Sequence, residues 1–98
     1  YEGLLVAHLT HSDRGVREWS AHALGDLGFT SDATIAALIY AFGDKDDWVR
    51  WKAVRALGLI GPKAKRALPL IEPVANAEQE VEVVRAAAKV AVKRIRGD

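Results

Sequence analysis

A stretch of sequence near the start of the chain recurs 33 residues later, and this repeat restricts the fold more than any other feature. Residues 12–28 read SDRGVREWSAHALGDLG, and residues 45–61 read KDDWVRWKAVRALGLIG. A weaker third copy, VRAAAKVAVKRI at residues 84–95, lies 35 residues beyond the second. Because self-similarity at such a period is typical of repeat architectures, we expect similar units that stack on one another and share a continuous core.

The apolar residues of each copy recur with the period of an α-helix. In the middle of the chain the i, i+3, i+4, i+7 pattern occurs twice, at Ile35, Leu38, Ile39 and Phe42 and again at Val49, Ala53, Ala56, Leu57 and Ile60. No segment alternates with period two, so no strand is predicted. The pattern predicts an all-α fold of three antiparallel helix pairs, with helices near 3–10, 13–27, 33–43, 46–60, 65–76 and 79–96.

Short polar residues, glycines and prolines mark the expected helix ends. Asp32 and Asp46 are the expected N-caps of the two helices in the middle pair. Pro73 is expected to kink or end the fifth helix, because proline lacks the backbone donor that a helix interior needs. Four glycines recur with the repeat and are expected to end the second helices: Gly25, Gly28, Gly58 and Gly61.

The consensus of the copies, D-x-x-V-R-x-x-A-A-x-A-L-G-x-I-G, resembles the short HEAT-like repeat of the phycobilisome-lyase type. The second copy carries it most fully, at Asp46, Val49, Arg50, Ala53, Ala56, Leu57, Gly58, Ile60 and Gly61. The resemblance implies an armadillo-like α-solenoid of about three helical hairpins, in units near 1–29, 30–62 and 63–98. It also implies that the second helix of each pair lines the concave, ligand-facing side.

Each copy places an arginine at the same position, and these residues are Arg17, Arg50 and Arg85. The expected partners are the acidic side chains Asp13, Asp46 and either Glu80 or Glu82. The HEAT-like resemblance implies that such Asp and Arg positions make structural contacts between stacked units. We therefore expect a ladder of ion pairs that locks neighbouring units, in preference to a row that grips phosphates or carboxylates of a ligand.

The sequence contains no catalytic constellation. Three histidines and one glutamate, His8, His11, His22 and Glu18, are the only candidate metal ligands. Metal enzymes built on HEAT-like repeats carry His-Glu pairs where this chain reads Glu18-Trp19, Trp51-Lys52 and Ala86-Ala87. We therefore expect no metal, no cofactor and no catalysis, although the resemblance leaves open part of a chromophore-lyase-like or other HEAT-repeat enzyme.

Tryptophans on the second helices are the strongest candidates for binding a partner. Trp19 and Trp51 lie off the apolar stripe, so they are either interface anchors or packed between units, and Trp48 is expected to wedge the turn before its helix. The predicted contact strip for a protein or peptide is Trp19, Trp51, Arg55, His22, Glu18 and Lys52. The sequence thus favours a non-catalytic interaction scaffold.

Charge is distributed unevenly along the chain. Residues 1–49 hold three Lys/Arg against eight Asp/Glu, and residues 50–98 hold eleven against five. The basic cluster on the last helix, Arg85, Lys89, Lys93, Arg94 and Arg96, makes nucleic-acid binding an alternative function. The pI of about 8.3 is low for a dedicated nucleic-acid binder, so this partner class is not favoured.

Composition sets the remaining expectations. The 98 residues suffice for one domain, and the start at Tyr1 without any Met indicates part of a longer chain. The apolar opening Leu4-Leu5-Val6 predicts an end face that meets further repeats or a second copy end to end. The absence of Cys and of a long apolar run predicts a cytoplasmic protein with no membrane span.

Overall fold

A computed structural model, which describes residues 1–97, shows an all-α chain. The elements are α1 (Glu2–His8), α2 (Arg14–Asp26), α3 (Asp32–Ala41), α4 (Asp47–Ile60), a 3₁₀ helix (Gly61–Ala67), α5 (Leu68–Val74) and α6 (Glu82–Arg96). No β-strand occurs between residues 1 and 97, so the predicted fold class is confirmed. Asp98, at the end of the third predicted unit, lies outside the described residues.

The helices form two layers. The second helices of the pairs, α2, α4 and α6, pack side by side in sequence order, and α1, α3 and the segment from the 3₁₀ helix to α5 cover one side of them. Fully buried apolar side chains from every pair join in one core, including Leu5, Leu24, Leu38, Leu57, Ile71 and Ile95. Each pair therefore buries its apolar stripe against its neighbour, as a helical solenoid requires.

Aspartates cap α2 and α4. The Asp13 Oδ1 atom accepts from the Val16 backbone N–H at 3.1 Å, and Asp46 Oδ1 accepts from Trp48 N–H at 2.9 Å. The N-cap of α3 is Ser31 and not Asp32, which is already the first helical residue. The prediction for Asp32 was wrong by one position, although its carboxylate in the first turn still interacts favourably with the positive end of the helix dipole.

Two of the four recurring glycines do not end helices. Gly28 and Gly61 have φ of +76° and +78° and lie just beyond α2 and α4, as predicted. Gly25 and Gly58 lie buried inside those helices, so the prediction that they are terminators was wrong. A Cβ atom on Gly58 would stand 2.9 Å from Ala91 Cα on α6, and one on Gly25 would stand 3.1 Å from Ala56 Cβ on α4. These glycines let adjacent second helices approach closely.

The third pair departs from the expected single helix near 65–76. The chain forms the 3₁₀ helix from Gly61 onward, with Pro62 in its first turn, and α5 starts only at Leu68. Pro69 lies in the first turn of α5, where a missing N–H costs nothing, and Pro73 lies one residue before its end. The prolines therefore divide this stretch and keep α5 short.

Arg17 and Arg50 connect neighbouring pairs, but through acids other than those predicted, and Arg85 bonds to the backbone carbonyl of Glu80 and not to the predicted carboxylate of Glu80 or Glu82. Arg17 Nε donates to Asp44 Oδ2 at 2.9 Å, and Arg50 Nε donates to Glu80 Oε2 at 2.9 Å. Each contact joins a second helix to the loop that precedes the next second helix. The expected pairing with Asp13 and Asp46 was wrong, because both carboxylates are engaged in capping their own helices.

The contact between Arg50 and Glu80 makes stability depend on pH. The guanidinium of Arg50 donates two hydrogen bonds to Glu80 and holds the pKa of Glu80 below its usual 4.5. A carboxyl whose pKa is lower in the folded state stabilises the fold above its unfolded pKa, and this stabilisation disappears as pH falls through the folded value.

We therefore expect Glu80→Gln to lower the free energy of unfolding by about 1–2 kcal/mol at neutral pH. The deficit relative to wild type should shrink as the pH falls below 4.5, because protonated Glu80 then resembles glutamine. Urea denaturation at a series of pH values measures this difference. A deficit that stays constant down to pH about 2 would contradict the assignment.

A candidate partner-binding surface on the second helices

The first part of the surface is a pocket between α2 and α4. Trp19, Glu18, His22, Lys52 and Gly15 line an open space of about 390 Å³. Trp19 is 56% exposed, so its ring is available for contact and contributes little to the core. Packing of α2 against α4 thus brings four of the six predicted strip residues together.

Arg55 is held at the edge of this pocket by a carboxylate that sequence reasoning missed. Its Nη2 atom donates to Asp26 Oδ1 at 2.6 Å, and Nη1 lies 3.5 Å from His22 Nδ1. His22 Nε2 lies 2.8 Å from Asp26 Oδ2. The hydrogen bond from Arg55 is the main cause that lowers the pKa of Asp26. The i, i+4 spacing of His22 and Asp26 was the available signal for this network.

The second part of the surface is a groove of about 220 Å³ between α4 and α6. Its walls include Trp51, together with Leu59 and Val90, which are 43% and 53% exposed. The small residues Gly58, Ala87 and Ala91 and the two arginines Arg55 and Arg94 complete its lining. Sequence reasoning missed Leu59 and Val90, because these positions lie outside the repeat consensus and carry no periodic signal. It assigned Arg94 to the basic cluster of the last helix and not to this groove.

Trp51 combines the two roles that the sequence left open. It is partly buried and packs against the core, yet it also lines the groove. The Trp48 ring lies 5.4 Å from the Trp51 ring, tilted by 54°, and Lys52 Nζ lies 4.0 Å from the Trp51 ring centre. Trp48 is therefore exposed on the helix surface beside Trp51, and the expectation that it wedges the turn was wrong.

The candidate metal ligands do not assemble into a site. The rings of His8 and His11 meet edge to face at 5.9 Å, His22 contacts Asp26, and Glu18 pairs with Arg14. Among residues 1–97, no three His, Asp or Glu side chains converge in a way that could hold a metal ion.

The comparison with protein families agrees with this architecture. The family described as HEAT repeats matches residues 2–93 of the chain. The chain belongs to the HEAT repeat family. A search of curated proteins finds no match to it. Within the part of this HEAT-repeat protein that the structure describes, no helix has the length and apolar character that a membrane crossing requires.

HEAT repeats commonly serve as scaffolds for protein interactions. In this HEAT-repeat protein the pocket and the groove lie next to one another on the second helices, with Trp19 in one and Trp51 in the other. The charges around them include both signs, from Glu18 and Asp26 to Lys52 and Arg55. Such a surface offers aromatic area for affinity and fixed charges for orientation.

Proposed function

We propose that this HEAT-repeat protein is a non-catalytic scaffold that binds a protein or peptide partner along α2, α4 and α6. The observation that carries the proposal is the adjacent pair of hollows, each with a tryptophan wall and an arginine or lysine at its edge. The binding strip is Trp19, Trp51, Arg55, His22, Glu18 and Lys52. The proposal takes residues 1–98 as one domain of three units, near 1–29, 30–62 and 63–98, in a cytoplasmic protein.

Several features of the surface suit a peptide in an extended or helical form. The close approach of α2, α4 and α6 through glycines and alanines makes the layer of second helices continuous. The hollows follow one another at the spacing of neighbouring helices, so a single segment can insert two side chains. Asp26 holds the Arg55 side chain in place before a partner binds, which reduces the rotamer entropy that Arg55 loses on binding.

The geometry disfavours the nucleic-acid alternative. Of the five basic residues of α6, Arg85, Lys89 and Lys93 lie on one side of the helix, whereas Arg94 lines the groove against α4 on another side. Arg96 pairs with Glu72, which reduces the positive charge further. A row of three basic residues is shorter than the extended basic face that a duplex backbone favours.

Trp19→Ala is expected to weaken partner binding by about 2 kcal/mol, because the proposal makes Trp19 an anchor for the partner. The melting temperature should not fall, because the Trp19 side chain is about half exposed and contributes little to the core. Peptides selected by display on the wild-type chain, then measured by calorimetry on each variant, provide the test. Trp51→Ala should weaken the same peptides and also reduce stability, since Trp51 packs against the core.

Tyr40→Ala is the matched control for Trp19→Ala. Tyr40 is an aromatic residue that is 73% exposed, but it lies on α3 in the other layer. Tyr40→Ala should leave the affinity of the selected peptides unchanged. If Tyr40→Ala weakens binding as much as Trp19→Ala, or if display enriches no peptide, the proposed surface is wrong.

A further inference from the structure

The third member of the arginine ladder differs from the other two. Arg85 Nη1 donates to the backbone carbonyls of Ala77, Glu78 and Glu80, at 3.3, 3.0 and 2.9 Å. Arg17 Nη1 and Arg50 Nη1 make the same kind of bond, to carbonyls in the loop before their own helices. The three guanidinium groups are therefore held in a similar way by the turns of their own units.

The difference lies in the remaining donors. Arg17 and Arg50 use Nε and Nη2 to hold a carboxylate of the next unit, Asp44 and Glu80 respectively. Within the described chain, no carboxylate lies within 4.0 Å of the Arg85 guanidinium, and its Nε and Nη2 atoms have no hydrogen-bond acceptor there. Arg85 thus presents an oriented fork suited to bidentate pairing with a carboxylate.

The residues four and eight positions after the ladder arginine also differ in the third unit. In α2 these positions are Ala21 and Gly25, and in α4 they are Val54 and Gly58, all of them buried. The two glycines pack closely against the next second helix. In α6 the corresponding positions are Lys89 and Lys93, both exposed. Lysine at the position of Gly58 excludes the close helix contact seen within the stack, and it adds positive charge beside Arg85.

We infer that this side of α6 is a docking site for an acidic segment of a partner protein, with one carboxylate held by Arg85. Charge complementarity identifies the occupant, because Arg85, Lys89 and Lys93 stand on the same side of the helix. A hollow of about 400 Å³ between α5 and α6, lined by Lys89 and Lys93, gives such a segment a place to lie. Glu72 also lines this hollow, and its charge is paired with Arg96. This site is separate from the tryptophan surface of the proposed function.

A second copy of the chain fits this site poorly. In the first unit, the position that corresponds to Asp44 is His11, 33 residues earlier. The Nδ1 atom of His11 already accepts a hydrogen bond from the backbone N–H of Asp13. A copy stacked in the register of the repeat would therefore bring an imidazole, and no carboxylate, to Arg85.

The test uses a labelled helical peptide of alanine and glutamate, with the same peptide carrying glutamine as control. In NMR spectra of the wild-type chain, the Nε–H signal of Arg85 should move toward those of Arg17 and Arg50 when the glutamate peptide is added. The glutamine peptide should leave it in place. This measurement needs no variant, so it stands even if substitutions at Arg85 disturb folding.

Two variants separate the fork from its charge. Arg85→Lys keeps the charge and should weaken the glutamate peptide about tenfold, because lysine provides no bidentate fork. Lys89→Gln removes a charge and keeps the fork, and should weaken it only about twofold. Circular dichroism melts check that both variants fold.

Four results would overturn the inference. An unmoved Arg85 signal, or equal losses in the two variants, would mean that the peptide is attracted by diffuse charge alone. Self-association in sedimentation that disappears with Arg85→Lys would assign the site to a second copy. Displacement of the glutamate peptide by duplex DNA at lower concentration than by unlabelled peptide would assign it to phosphates.

Discussion

Replacement of Gly58 by valine is expected to lower the free energy of unfolding by about 3 kcal/mol and the melting temperature by about 15 °C. A Cβ atom at this position would stand 2.9 Å from the Cα atom of Ala91 and 3.0 Å from its Cβ. The nearest obstacle is backbone, which cannot rotate away as a side chain does. Valine would therefore push α4 and α6 apart and open the core between them.

The control for Gly58→Val is the same substitution at Gly3. Gly3 also lies in a helix, and a Cβ atom there would meet nothing within 4 Å. Because valine has a higher helix propensity than glycine, Gly3→Val should change stability by less than about 0.5 kcal/mol. Thermal melts of the two variants isolate the cost of the close approach. Equal melting temperatures would show that the stack tolerates a wider spacing between α4 and α6.

These glycines show what the repeat pattern can and cannot reveal. Periodicity predicted every α-helix to within about three residues, since apolar stripes depend only on local spacing. The same pattern cannot separate a glycine that ends a helix from one that admits a neighbouring helix, because both recur with the unit. Gly58 and Gly61 are three residues apart and play these two different roles.

The candidate site was predictable for a related reason. With the 33-residue offset of the repeat, Trp19 corresponds to Lys52 and His22 to Arg55. Both pairs lie in or beside the same pocket. The groove between α4 and α6 depends instead on which non-consensus side chains remain exposed there. Burial at such positions is decided by tertiary packing, which the spacing of the sequence does not encode.

The acidic partners of the arginines were beyond sequence reasoning for a third reason. Asp44 lies 27 residues from Arg17, in a loop whose path no local pattern describes. The nearer acid, Asp13, was the natural candidate, but its carboxylate caps α2. Local hydrogen bonds thus occupied the acids within the consensus, and the ladder took its partners from the connecting loops.

The contact of Arg17 with Asp44 leads to the second large effect. Arg17 is only 8% exposed, and it donates two hydrogen bonds to Asp44 and one each to the carbonyls of His11 and Ser12. Arg17→Met preserves much of the aliphatic stem and leaves the carboxylate of Asp44 largely buried without its cation. We expect a loss of about 3 kcal/mol, measured by urea denaturation at neutral pH.

Arg85→Met is the matched control, because Arg85 occupies the same position in its unit and also bonds to loop carbonyls, but holds no carboxylate among the described residues. Its loss should be about 1 kcal/mol, so the difference between the two variants measures the pairing across units. Asp44→Asn in the Arg17→Met background should then recover part of the lost stability, since no unpaired charge remains. If both methionine variants lose the same stability, the loop carbonyls and not Asp44 account for the role of Arg17, and the contact between units contributes little.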